Sequence, residues 1–189
     1  AVESIRSKKV TRLHVAKSGS DDNDGTEESP FLTIGRGTSV ASNGDTVLIA
    51  SGTYQENIVI NMKEITIASN YFMSQDTAEV SATIIDGNGI GPCVVVDDES
   101  NPGSSKIKLV GLTFTGGAES DIDGKQGAIR ADYAKSIIID RCIIRDNTAG
   151  RGAATYLSRV GRIKILNTLI KNNSSGDYAG SYIHEPDYL

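Results

Sequence analysis

The chain has 189 residues, a formal net charge of −5, a hydrophobic fraction of 38% and no tryptophan. This length and apolar content support one domain with a modest core rather than two domains. Acidic and basic residues are dispersed and no basic stripe is interleaved with aromatic residues, so nucleic acid is not an expected partner. No apolar run approaches the roughly 18 residues that a membrane-spanning helix needs, so no transmembrane segment is predicted.

Residues 1–45 predict an N-terminal arm and a cap. Residues 11–16 alternate between apolar and polar side chains, which is typical of a strand, and an acidic loop follows at residues 18–26. Residues 32–42 predict a short helix despite two glycines. A helix in this position is suited to cover the first edge of a stack of strands, which would otherwise promote aggregation.

Three aspartates of the acidic loop are candidate ligands for a cation. Asp21, Asp22 and Asp24 supply many oxygens just ahead of Gly25, and Ca²⁺ prefers oxygen ligands. The spacing does not match an EF-hand, because no glutamate stands at the twelfth position. Loops rich in aspartate and asparagine also form stable turns without a metal. A Ca²⁺ site and a purely structural turn are therefore both open.

Residues 46–189 contain repeated segments. The run at residues 136–147 is matched by residues 162–173, and an earlier copy begins at Lys106. Each unit holds three short runs rich in Ile, Val and Thr, separated by Gly, Asn, Asp and Ser, and none is long enough for a helix. This periodicity predicts an all-β fold, a right-handed parallel β-helix with three short strands per coil and about 25–30 residues per coil. The whole chain, residues 1–189, is expected to form this single domain.

Alternation within the strands predicts which side chains point inward and which point outward. Cys93 and Cys142 fall at inward positions and are predicted to be buried free thiols. Asn147 and Asn173 occupy matching turn positions and are predicted to form a hydrogen-bonded ladder between coils. The predicted outward rows on successive coils are Lys108, Ile138 and Lys164, then Val110, Asp140 and Leu166, then Thr115, Arg145 and Lys171.

Two segments resemble a known superfamily. Residues 15–57 include Asp-Asp-Asn-Asp-Gly-Thr, Pro-Phe-Leu-Thr-Ile, Gly-Asp-Thr-Val and Gly-Thr-Tyr-Gln-Glu-Asn, and are similar to the N-terminal signature of the pectate-lyase-like right-handed parallel β-helix superfamily. Residues 111–117 and 145–150 resemble the repeats of secreted bacterial surface proteins of that superfamily. The resemblance implies the fold over residues 13–183 and an extracellular or cell-surface location. Its members usually continue for several more coils, so it also implies truncation at the C-terminus, or a last coil closed by the tail or by another chain.

The resemblance does not fix the activity, because this architecture serves lyases, hydrolases, epimerases and adhesins alike. The leading hypothesis is an extracellular carbohydrate-interacting β-helix protein whose catalytic set is not assignable, with a polysaccharide, expected to be acidic, as its partner. The first alternative is a Ca²⁺-dependent polysaccharide lyase or epimerase acting on uronate polymers. The second is a structural or adhesive surface module. Whether the chain is an enzyme stays open.

The resemblance to lyases implies acidic residues that hold Ca²⁺ against a sugar carboxylate, and a lysine or arginine that removes the neighbouring proton. The candidates for these roles are Lys171, Arg145, Arg130 and Asp140. A charged row on a solenoid is more often a solvated face. Paired carboxylates for a glycoside hydrolase would have to come from Asp121, Asp123, Asp132 and Asp140, but nothing in their spacing selects two of them.

Two further patterns bear on partners. Outward acids stacked beside a lysine or arginine would favour an enzyme, whereas aromatic residues along a groove would favour sugar binding. The tyrosines considered for such a groove are Tyr54, Tyr71, Tyr133, Tyr156 and Tyr178. An outward apolar cluster predicts cover by a loop, by residues 1–12 or by a second subunit, and hence a homo-oligomer as one expectation. That cluster consists of Ile138, Ile143, Leu166 and Leu169.

Overall fold

A computed structural model describes residues 11–118 and 127–184. Within these residues the strands form three parallel sheets that run along one axis, and each strand pairs with its equivalent on the next coil. This is the predicted parallel β-helix. The remaining predictions at residues 1–10, at residues 119–126, which include Asp121 and Asp123, and at residues 185–189 lie outside the described residues. No described helix is long and apolar enough to cross a membrane.

Each complete coil contributes one strand to each of the three sheets, and the first sheet has one additional strand at its N-terminal end. The first sheet contains β1 (Arg12–Val15), β2 (Thr46–Ile49), β5 (Glu64–Ser69), β8 (Lys106–Val110), β11 (Ser136–Asp140) and β15 (Ile163–Leu166). The second sheet contains β3 (Gly52–Gln55), β6 (Thr83–Asp86), β9 (Thr113–Thr115), β12 (Ile143–Arg145) and β16 (Leu169–Lys171). The third sheet contains β4 (Ile58–Ile60), β7 (Val94–Asp97), β10 (Ile129–Asp132), β14 (Thr155–Ser158) and β18 (Ser181–His184). A short fourth pair consists of β13 (Thr148–Arg151) and β17 (Ser174–Asp177).

The register confirms the predicted outward rows of the first two sheets. Ile138 is the partner of both Lys108 and Lys164. Arg145 is the partner of Lys171. Because side chains alternate along a strand with a period of two, this register also fixes the inward rows.

The inward rows meet in one continuous core. Cys93 and Cys142 are buried in it as free thiols, as predicted. Its side chains from the three sheets include Ile67, Leu109 and Ile139, then Ile85, Phe114 and Ile144, then Val94, Ile129 and Leu157. The inward residues of the last described coil are less protected, since Ile163, Ile165 and Ile170 are only partly buried.

Left-handed residues form the corners of the coils. Arg141 and Asn167 have φ of 53° and 48° between the first and second sheets, and Tyr133 and Arg159 have φ of 57° and 54° between the third and first sheets. A single residue in this conformation bends the chain sharply. Repetition of the same corner on successive coils gives the three-sided cross-section.

The predicted N-terminal cap is confirmed as α1 (Ile34–Val40). Thr33 starts this helix, because its side chain accepts a hydrogen bond from the backbone N–H of Arg36. Ile34 is fully buried in the core beneath the helix. The strand β1 lies inside the predicted cap segment but pairs with β2, so it already belongs to the first sheet.

Two short helices that the sequence analysis did not predict cover part of the outer surface. They are α2 (Tyr71–Ser74) and α3 (Ala78–Ala82), and they follow β5. Tyr71 and Val80 pack with Leu48, Ala68 and Val110 in a second apolar cluster on the outside of the first sheet. Ile143, one of the four predicted outward apolar residues, packs against this cluster. Leu166 and Leu169 stay exposed, at 44% and 50%.

Candidate functional site

The four candidate catalytic residues lie on three different sheets. Arg145 and Lys171 are adjacent on the second sheet. Asp140 ends a strand of the first sheet, and Arg130 lies in the third. Of this set, the structure therefore brings only Arg145 and Lys171 together in one sheet.

The environments of Arg145 and Asp140 are those of surface ion pairs. Arg145 Nη1 lies 2.5 Å from Asp146 Oδ2, and this hydrogen bond is the main reason why the pKa of Asp146 lies below its ordinary value. The carboxylate of Asp140 accepts hydrogen bonds from Arg141 Nη1 and Asn167 Nδ2, both at 3.1 Å. Arg145 and Asp140 are thus each engaged by neighbouring side chains. Neither arrangement places a basic group and a carboxylate together in a form that is ready to bind a sugar.

The outer face of the third sheet carries a more specific arrangement, formed by two parallel rows of side chains. Strand pairing aligns the members of each row across successive coils. The polar row consists of Asp97, Asp132, Ser158 and His184, and the aromatic row consists of Val95, Arg130, Tyr156 and Tyr182. Together with Tyr178, these two rows are called the third-sheet face below.

Arg130 joins the two carboxylates of the polar row. Asp97 and Asp132 are register partners, so their backbones lie about 4.8 Å apart and their like charges repel. Arg130 Nε donates to Asp132 Oδ2 at 2.6 Å, and its Nη2 lies 3.9 Å from Asp97 Oδ2. The side chain of Asp132 is only 12% exposed, so this ion pair is partly withdrawn from water.

The polar row opens to solvent at its Asp97 end. Asp97 Oδ1 accepts a hydrogen bond from the backbone N–H of Glu99 at 3.0 Å, and Asn61 Oδ1 accepts one from the N–H of Asp97 at 3.3 Å. These residues and Ser100 line an open depression. The depression adds hydrogen-bonding groups and a further carboxylate, Glu99, to the third-sheet face.

Tyrosine rings stack along the aromatic row. The centroids of Tyr156 and Tyr182 lie 5.1 Å apart with an interplanar angle of 18°. Tyr178 tilts against Tyr182 at 5.3 Å and is 63% exposed. The ring of His184 lies 6.4 Å from that of Tyr182 at 16°. The cluster therefore begins with a buried ring, Tyr156, and ends with one that solvent can reach.

Only two of the five tyrosines considered for a sugar-binding groove lie on this face, Tyr156 and Tyr178, and Tyr182 was missed. Tyr54 is instead a core residue whose O–H donates to the carbonyl of Ala50, and burial, with a smaller contribution from Glu56, raises its pKa to about 12. Tyr71 is buried in the cluster outside the first sheet. Tyr133 lies at a corner, where Arg159 covers its ring at 5.2 Å.

Two aspartates of the acidic loop accept hydrogen bonds from other residues of the protein. Asp21 Oδ1 accepts from the backbone N–H groups of Leu32 and Thr33, and Oδ2 accepts from Thr33 Oγ1. Burial would raise the pKa of Asp21, but these hydrogen bonds outweigh it and the pKa is lowered. Asp24 Oδ1 accepts two hydrogen bonds from Thr26. Asp21 thus ties the loop to the residues just before α1, and Asp24 stabilises a local turn. Ca²⁺ binding by Asp21, Asp22 and Asp24 stays a prediction.

Residues 11–118 and 127–184 contain no cluster of three histidine, cysteine, aspartate or glutamate side chains arranged to hold a metal ion. His14 lies on the first sheet. Asp132, considered for a glycoside hydrolase pair, has Asp97 rather than Asp140 as its neighbouring acid.

A family model described as a protein of unknown function, DUF1565, matches residues 17–89. The matched segment covers the acidic loop, the cap helix and the first coils, and the family is associated with right-handed β-helix proteins. An uncharacterized protein of Bacillus subtilis (strain 168), YwoF, is 46% identical over 46 residues, which are 24% of this chain and 10% of that protein. The chain thus matches only about a tenth of that relative's length, and no solved structure matches. The matches agree with the β-helix fold. Neither names a substrate, so the activity is inferred from the candidate site.

Proposed function

We propose that this protein is an extracellular or cell-surface β-helix protein that binds polysaccharide on the third-sheet face. The single observation that carries the proposal is the tyrosine cluster beside charged hydrogen-bonding groups, in which Tyr182 contacts both Tyr156 and Tyr178. Among the described strands, this face combines aromatic rings with stacked acids and an arginine.

The chemistry of the face suits sugars. A sugar ring has apolar C–H surfaces and a rim of hydroxyl groups, and a tyrosine likewise has an apolar ring and a polar tip. Carboxylate oxygens accept hydrogen bonds from sugar hydroxyl groups, and a guanidinium donates hydrogen bonds to the oxygens of those hydroxyl groups. Since the rows repeat about every 4.8 Å along the axis, the face is extended in one direction. A linear polymer that runs along the solenoid fits this shape better than a small compact ligand.

Affinity electrophoresis through gels containing neutral and acidic polysaccharides tests the proposal. We expect at least one polymer to retard the wild-type protein, and Tyr182→Ala to abolish most of this retardation. Leu169→Ala is the matched control, because it removes an exposed apolar side chain from the second sheet and should leave the retardation unchanged. Retardation by no polymer, or equal retardation of wild type and Tyr182→Ala, would contradict the proposal.

A second candidate is a Ca²⁺-dependent lyase or epimerase acting on uronate polymers. Its support is that Asp97 and Asp132 are stacked beside Arg130, the arrangement that favours an enzyme over a binding module. In this hypothesis the two carboxylates would hold the ion and orient a sugar carboxylate. Arg130 is a poor base, since a guanidinium paired with carboxylates keeps its proton. Ultraviolet absorbance of unsaturated products detects a lyase, and proton NMR of the treated polymer detects an epimerase. Both measurements, made with Ca²⁺ and with a chelator, separate catalysis from binding.

The outcome of that assay depends on Asp132. Calcium-dependent product formation that disappears in Asp132→Asn would establish catalysis at the third-sheet face. Product that persists in Asp132→Asn but disappears in Lys171→Ala would move catalysis to the second sheet, where Lys171 and Arg145 are adjacent. Absence of product, together with retardation in the gels, would leave binding as the function.

A further inference from the structure

We infer that the third-sheet face selects uncharged polysaccharides over acidic ones. The inference rests on the proposed function, and it differs from the acidic partner that the sequence analysis expects. Three observations support it. The charges around the tyrosine cluster are mainly negative, Arg130 is already paired with Asp132, and exposed lysines lie on the first sheet.

The charged groups of the face, among the described residues, are mainly acidic. Asp97, Asp132 and Glu99 contribute three carboxylates, and Arg130 contributes one guanidinium. A sugar carboxylate laid along the rows would therefore lie close to like charges. Two unit charges about 4 Å apart repel by about 1 kcal/mol in bulk water and by more where water is partly excluded.

Arg130 cannot compensate this repulsion at low cost, because it is already engaged. Its Nε donates to Asp132 at 2.6 Å, and its side chain is only 24% exposed. A ligand carboxylate that recruited the guanidinium would leave Asp132, which is 12% exposed, with a weaker partner. Withdrawing one partner from a shielded ion pair is strongly unfavourable. Sugar hydroxyls, in contrast, can donate to the outer carboxylate oxygens without breaking the pair.

The lysines that would attract an acidic polymer lie on another face. Lys106, Lys108 and Lys164 alternate with core residues and point outward from the first sheet. Lys108 and Lys164 are both register partners of Ile138. An acidic polymer that approaches the molecule is therefore steered to the first sheet rather than to the tyrosine cluster.

A matched pair of probes isolates charge as the variable: polygalacturonate and its fully methyl-esterified form share one backbone and differ in the carboxylates. Isothermal titration calorimetry with soluble fragments of both, and with a neutral glucan and a neutral mannan, gives the affinities. We expect at least one uncharged probe to bind wild type at least about tenfold more tightly than polygalacturonate does, which corresponds to about 1.4 kcal/mol. Higher salt concentration should reduce this ratio by screening the repulsion.

Asp97→Asn and Glu99→Gln test the cause. Asp97 is 36% exposed and lies 3.9 Å from Arg130, so its replacement should leave the fold intact and bring the two affinities closer together. Lys108→Gln on the first sheet is the control and should leave the binding of uncharged probes unchanged. Loss of polygalacturonate binding in Lys108→Gln but not in Tyr182→Ala would place acidic polymers on the first sheet, in support of the inference.

Two results have distinct meanings. Tighter binding of polygalacturonate than of every uncharged probe, lost in Tyr182→Ala, would overturn the selectivity while the proposed function stands. Absence of binding by the whole set of probes, confirmed with folded wild-type protein, would overturn both the proposed function and the selectivity.

Discussion

Glu56 and Lys63 hold opposite ends of the cap helix α1. The Glu56 carboxylate accepts hydrogen bonds from the backbone N–H groups of Ile34 and Gly35, at 2.9 Å and 2.8 Å. Lys63 Nζ donates to the carbonyl oxygens of Thr38, Ser39 and Ala41. An acid at the N-terminus and a base at the C-terminus also complement the helix dipole. Two residues of the first coil therefore fix a helix that is only seven residues long.

Replacing Lys63 by methionine should loosen this cap. The substitution keeps an unbranched apolar side chain but removes three charge-assisted hydrogen bonds, so we expect the free energy of unfolding to fall by about 2 kcal/mol. Urea denaturation measures the change. Lys106→Met is the control, because Lys106 pairs with Glu64 on an exposed surface and such pairs contribute at most about 1 kcal/mol. Equal effects of the two substitutions would contradict the role of Lys63.

The asparagine ladder gives a second prediction. Asn147 is fully buried, its Nδ2 donates to Asn173 Oδ1 at 2.8 Å, and its Oδ1 accepts from the N–H of Gly117 at 2.8 Å. Asn147→Ala leaves buried backbone groups without partners and should cost about 2–3 kcal/mol of unfolding free energy. Asn173→Ala, in a less buried position, should cost about half as much. A smaller loss for Asn147→Ala than for Asn173→Ala in chemical denaturation would argue against the ladder.

A third prediction concerns the charged centre of the third-sheet face. Arg130→Gln leaves Asp97 and Asp132 as adjacent carboxylates and should destabilise the fold by about 1–2 kcal/mol. The same substitution should cost less in an Asp132→Asn background, since one of the repelling charges is then absent. A double-mutant cycle from thermal or urea unfolding measures the coupling. Strict additivity would show that Arg130 stabilises the face without its contact to Asp132.

The two cysteines give a fourth prediction, on thiol reactivity. Burial raises the pKa of the Cys93 and Cys142 thiols to about 12. At neutral pH the reactive thiolate is therefore scarce, and the core also excludes the reagent. We expect a water-soluble disulfide reagent to leave native protein unlabelled and to label both thiols after denaturation. Rapid labelling of either cysteine in the native state would contradict its position in the core.

The sequence predicts the first two sheets well because their strands repeat with constant spacing. Asp140 and Leu166 are 26 residues apart and are register partners, and a fixed offset combined with alternation determines the outward rows. The third sheet repeats less evenly: Gly127 and Gly152 are 25 residues apart, whereas β10 and β14 pair with an offset of 26, as for Arg130 and Tyr156. A slip of one residue exchanges the two sides of a strand, which hides the aromatic row.

The polar row of the third sheet was missed for a related reason. Asp97 and Asp132 are 35 residues apart, whereas Asp132 and Ser158 are 26 apart. The chain segments between successive strands of this sheet differ in length, so no fixed period aligns the two acids. The helices α2 and α3 were missed because segments of four and five residues are too short to show a helical period.

Fluorine NMR with fluorotyrosine in all seven tyrosines tests most directly whether the third-sheet face binds sugar. Single substitutions assign the signals, and Tyr54 in the core and Tyr71 in the second apolar cluster serve as internal references. On titration with the tightest-binding uncharged oligosaccharide, the signals of Tyr178 and Tyr182 should shift and saturate while that of Tyr54 stays constant. Binding that saturates by calorimetry without a shift of Tyr178 or Tyr182 would contradict the account.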